Sequence, residues 1–109
     1  MPHINHEPIR RDRIRCIRGG FGWVDHRFVR DRYIDHLSPT PLALYLFLVA
    51  VANADGVSFW GDKAIGRRLR IGTAELQQAR TQLVDADLIA FDKPLWQLLQ
   101  LPNRKELTP

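Results

Sequence analysis

Between residues 59 and 91 the apolar positions of this chain leave it few ways to fold. Ala64, Ile65 and Leu69 fall at helical spacing, and Leu76, Ala79 and Leu83 repeat the pattern after a short break. That period places each set on one face of a helix. Only Arg70-Ile71-Gly72-Thr73 separates the two helices, which leaves room for a tight turn, and Ile71 is positioned to fill the angle where they cross. Leu88-Ile89-Ala90-Phe91 follows directly and reads as a strand.

A helix, a tight turn, a second helix and then a strand are the parts of a helix-turn-helix with a wing. The spacing of Ala64-Ile65, Leu69, Ile71, Leu76, Ala79, Leu83 and Leu88-Ile89 resembles the winged helix-turn-helix domain of bacterial transcription regulators. It is similar also to the winged helices of replication initiators and mobile-element-associated proteins. The resemblance implies a mainly α fold with a small antiparallel sheet (α+β), and a second helix that enters the major groove of DNA. Three positions depart from the family pattern. Arg70 stands where the turn usually has glycine, and Asp87 stands where glycine usually precedes the Leu-Ile strand. Asp is among the few side chains that tolerate the left-handed backbone conformation. Gly72 occupies the usual Ser/Thr cap position, so Thr73 is expected to cap the second helix one residue later.

Upstream, Ser38-Pro39-Thr40-Pro41 is a helix start, with a hydroxyl cap and prolines tolerated in the first turn. A helix over residues 42–53 is expected, ended by Asp55-Gly56. Its sequence is apolar nearly all round, which calls for burial on most sides. The chain's N-terminal segment can cover one side, so a second copy is expected to cover another. The alternative is that this segment and the wing together bury it. Val57-Ser58-Phe59-Trp60 is a short strand candidate, and in winged-helix folds such a strand pairs with the two wing strands. Asp62 is expected to cap the next helix. Leu95 to Leu101 reads as the last strand, with Asp92-Lys93-Pro94 as its turn.

Three regions are expected: a basic arm or strand over residues 1–20, the winged domain over 21–101, and a polar tail over 102–109. Five of residues 9–18 are arginine. A flexible arm of this kind tracks phosphates or enters a minor groove. Ile14 and Cys16 also share one face of an extended chain, so the same stretch can be a strand, and both readings stand. Gly19-Gly20-Phe21-Gly22 is a break. The aromatics after it, among Trp23, Phe28 and Tyr33, read as core anchors, on a short strand followed by one or two helical turns.

Composition narrows the function. The chain has 109 residues, enough for one core, and 45% of them are apolar. Sixteen Lys and Arg against twelve Asp and Glu give a net charge of +4 and favour a polyanionic partner. Cys16 is the single cysteine, so neither an internal disulfide framework nor a multi-cysteine zinc site is available. No apolar run reaches the roughly 18 residues of a spanning helix, and the start lacks the apolar core of a signal peptide. A cytoplasmic, nucleoid-associated protein is expected. His3 and His6 with His26 or His36 make a weak metal set, and no metal or other cofactor is expected. No phosphate loop or catalytic triad is recognisable, so an enzyme is not expected.

In a helix-turn-helix the exposed N-terminal residues of the second helix meet base edges. Removing the core positions leaves Thr73, Ala74, Gln77, Gln78 and Thr81 as base readers. Gln can bond adenine N6 and N7 together, and Thr can contact a thymine methyl. Lys63, Arg67, Arg68 and Arg70 are the expected phosphate contacts around the turn, with Arg80 snorkelling toward a phosphate. Lys93 at the wing tip and Arg10, Arg11, Arg13 and Arg15 in the arm complete the set. Glu75 opposes phosphates unless it serves the helix N-terminus or accepts from cytosine. The expected partner is double-stranded DNA, bound in regulating transcription, replication or transposition, with the protein acting as a homodimer. The alternative is a protein-interaction adaptor that docks a larger DNA-processing enzyme. RNA binding is a weaker third reading, since no aromatic motif interleaves with the arginines.

Overall fold

The computed structural model describes residues 6–103. The first five residues of the expected lead-in, His3 among them, and the tail beyond Asn103 lie outside the described residues. The fold is α+β, with four α-helices and a three-stranded antiparallel sheet. Helix α1 spans Arg27–Arg30, α2 Pro39–Val51, α3 Asp62–Leu69 and α4 Thr73–Asp85. Strands β1 (Val57–Ser58), β2 (Ile89–Asp92) and β3 (Leu95–Leu98) form a sheet of order β1-β3-β2. Single 3-10 turns lie at Arg11–Arg13 and Tyr33–His36.

Helix α2 starts three residues earlier than the sequence suggests, because Pro39 fits the first helical position, where its missing N–H costs nothing. Ser38 occupies the cap position without capping; its hydroxyl bonds the Gln82 side-chain oxygen instead. Helix α2 ends at Val51, and the Asn53 carboxamide oxygen accepts from the Asp55 and Val57 N–H groups to shape the turn into β1. Gly56 closes that turn at φ +82, a conformation that favours glycine.

The core lies where α2, α4 and the sheet meet. Leu44, Leu48, Ile65, Leu76, Leu83, Leu88, Ile89 and Trp96 are essentially inaccessible. Trp96 sits on β3, and its indole N–H donates to the Trp60 carbonyl at 2.8 Å, tying the chain before α3 to the hairpin. Phe28 stacks on Tyr45 at 4.9 Å, which seats α1 on α2, and the Tyr33 hydroxyl donates to the Pro102 carbonyl.

The N-terminal residues overturn part of the expectation. No strand forms among residues 6–26, and Val24 and Trp23 stay exposed rather than anchoring the core. Arg13, Ile14, Arg15 and Cys16 pair with no strand. The radius of gyration, 16.4 Å, exceeds the roughly 13 Å of a compact chain this long, and residues 6–24 are exposed throughout. No helix among the described residues is long and apolar enough to cross a membrane.

Candidate nucleic-acid interface

Two left-handed residues set the geometry of the site. Arg70 ends α3 at φ 58, ψ 46, and the Ile71 N–H reaches back to the Gly66 carbonyl at 3.1 Å. Asp87 ends α4 at φ 61, and the Leu88 N–H reaches back to Leu83 in the same way. Both are the helix-ending bond that normally employs glycine, followed by an apolar residue that packs on the helix it has just left. The first turns the chain sharply from α3 into α4; the second delivers Leu88 and Ile89 into the core. These are the two positions at which the winged-helix pattern that the sequence resembles has glycine.

Helix α4 begins at Thr73 with Gly72 at the cap position and no side-chain cap. Thr73 is inside the first turn and does not take over capping, contrary to expectation. The first intrahelical bond runs from the Leu76 N–H to the Gly72 carbonyl, so the N–H groups of Thr73, Ala74 and Glu75 have no partner within the helix. The positive end of the helix dipole lies at the same point. Around it Lys63, Gly66, Arg67, Arg70, Ile71, Gly72 and Thr73, with Asp62, line an open hollow of about 360 Å³. Three cations and an uncapped helix start thus face one concavity, which is a setting for an anionic oxygen.

The structure brings together Lys63, Arg67, Arg70 and Thr73 from the expected site residues. Ala74, Gln77, Gln78 and Thr81 are exposed along α4 beyond the hollow. The Thr81 hydroxyl donates to the Gln77 carbonyl at 3.0 Å, leaving its methyl group and oxygen lone pairs available outward. Glu75 is held back from this surface, because the Thr40 hydroxyl of α2 donates to its carboxylate at 3.1 Å. Arg68 turns away from the hollow and lies 5.7 Å from the Trp60 ring. Lys93 is exposed at the two-residue turn of the β2–β3 hairpin. In the arm, Arg10 pairs with Asp12 and Arg11 with Glu7, so part of the positive charge is spent locally. Arg13 and Arg15 make no ion pair among the described residues.

Arg80 needs correction. Its side chain is only 15% exposed and does not snorkel outward. The guanidinium pairs with Asp62 at 2.9 Å and lies 4.2 Å from the Phe91 ring and 5.2 Å from Trp96. Asp62 in turn starts α3 without capping it; Gly61 holds the cap position. One cation therefore fastens α3, α4 and the hairpin together. Nothing in the local pattern marks this pair, since its members are 18 residues apart and belong to different helices.

No protein-family model, curated protein or solved structure matches the chain.

Proposed function

We propose that the chain is a winged helix-turn-helix that binds double-stranded DNA in a sequence-specific way, to regulate transcription, replication or transposition. The observation that carries this reading is the convergence of Lys63, Arg67 and Arg70 on the uncapped start of α4, with Gln77 and Gln78 exposed along the same helix. A backbone phosphate in the hollow would fix the register of α4, and the glutamines would then meet base edges in the major groove. The Thr40–Glu75 bond supports the reading, because it draws the one carboxylate in the first turn of α4 toward α2. The β2–β3 hairpin, with Lys93 at its turn, serves as a short wing, and Arg13 and Arg15 extend the contact to neighbouring phosphates.

Selection from a random duplex pool at near-physiological salt tests this directly. The expected result is an enriched motif that is relaxed or lost when Gln77 and Gln78 are both changed to alanine. Salt-sensitive background binding with no enriched motif would refute the reading and favour the adaptor.

A further inference from the structure

Helix α2 has one face that the rest of the chain leaves open. At about 100° per residue Ala43, Leu46 and Ala50 fall within about 60° of one another. All three are exposed, and Leu46 is 66% accessible. The chain closes both flanks of this stripe. On one side Gly22 lies against Val49 so closely that a Cβ there would fall 2.2 Å from the Val49 carbonyl oxygen, which brings Phe21 and Trp23 beside the helix. On the other, Trp60 packs edge-on to Phe47 at 5.0 Å, with Phe59 next to it. No residue from Pro39 to Val51 carries a charge at neutral pH. The result is an uncharged apolar stripe of Ala43, Leu46 and Ala50, flanked by Gly22 at Val49 on one side and by the Phe47–Trp60 pair on the other.

We infer that this stripe packs against the same stripe of a second copy, giving an antiparallel α2–α2 dimer. The stripe is complementary to itself. A two-fold axis between Leu46 and Phe47 sets Ala43 opposite the second copy's Ala50 at both ends, and Leu46 beside its Phe47. Small residues at both ends let the helices approach closely, and an isologous contact needs a surface that matches itself. The stripe itself carries no charge, so pairing two copies there desolvates no charged side chain of the stripe and adds no like-charge contact within it. The area is sufficient too. Phe21, Trp23, Leu46 and Phe59 are 72%, 77%, 66% and 66% exposed. With side chains of this size, two copies can cover about 1,000 Å² from these residues alone. Alanines and backbone bring the total into the 1,200–2,000 Å² range of stable interfaces.

Sedimentation equilibrium of the full chain without DNA tests the inference, and its outcome does not depend on the DNA-binding reading. The expected species has twice the 12.6 kDa chain mass at about 10 µM. Leu46→Glu is expected to raise the dissociation constant by about a hundredfold or more. Its far-UV spectrum and melting as a monomer should be unchanged, since Leu46 is exposed in the single chain. Ala50→Trp, which fills the opposing space, is expected to act the same way. A wild-type chain that is monomeric at about 100 µM would overturn the inference and leave the stripe to another partner. A dimer that survives Leu46→Glu would overturn it by placing the interface elsewhere.

Discussion

Arg70 carries two burdens that glycine would separate. Its left-handed backbone costs about 1–2 kcal/mol for an L side chain, while glycine's greater freedom in the unfolded chain returns about 0.5–1 kcal/mol of that. Arg70→Gly is therefore expected to stabilise the fold by about 0.5–1 kcal/mol, measured by urea unfolding. The same change removes one cation from the hollow, and the slope of log affinity against log salt should fall by about 0.9. Retained slope would mean that Arg70 does not meet a phosphate. Arg80 is expected to behave in the opposite way. Asp62→Ala leaves its partly buried guanidinium without a counter-ion and should cost about 1–3 kcal/mol, at the lower end because Asp62 is a third exposed. Arg80→Met, which keeps the contact with Phe91 and Trp96, should cost less, and the salt slope should stay put. A double-mutant cycle across the pair checks the assignment.

At the scale of elements, the segment before α1 is held by few contacts, each of which can be tested. Gly22→Ala drives a methyl group into the backbone of α2 at Val49, and backbone cannot step aside as a flexible side chain can. Undocking of residues 20–24 is the expected result, seen as faster proteolysis there, while α3, α4 and the hairpin keep their protection. Asp25 starts α1. Hydrogen bonds from the Arg27 side chain and backbone N–H, aided by the charges of Arg27 and Arg30, hold its carboxyl at about 2. A carboxyl lowered by folding adds stability above its unfolded value near 4 and loses that contribution as pH falls toward 2. Asp25→Asn should therefore flatten the pH dependence of stability between about pH 4 and 2, and leave it unchanged above pH 5. Equal acid sensitivity in the variant would rule out this pair as the source.

For the whole molecule, the division of labour runs across α2. Its buried face packs along α4 and supports the basic hollow, and its open face is free for a second copy. The arm adds reach but less charge than its composition suggests, since Arg10 and Arg11 are paired with acidic neighbours. Changing Arg13 and Arg15 together to alanine is expected to lower the salt slope by at most about 1.8 and to leave the enriched motif intact. Loss of the motif itself would place the arm among the base readers.

Periodicity alone was enough to place α3, α4 and the β2–β3 hairpin, because each apolar set has one stable way to be buried and only a few residues connect them. The exposed glutamines and the cations near the turn were legible for the same reason, as positions left over once the core was assigned. Asp87 was legible as a left-handed residue because the winged-helix pattern that the sequence resembles has glycine there and Asp tolerates that conformation. What the sequence could not settle were contacts between residues far apart in the chain. Arg80 looked like an outward cation until Asp62, Phe91 and Trp96 closed around it. Thr73 and Ser38 looked like caps, yet the turn geometry left Thr73 inside the helix and the Gln82 side chain engaged the Ser38 hydroxyl. The arm's pattern suited a strand, but residues 6–26 form none, although β1 and β2 each keep an open edge. Local spacing determines which face of an element is apolar; only packing in three dimensions decides what that face meets.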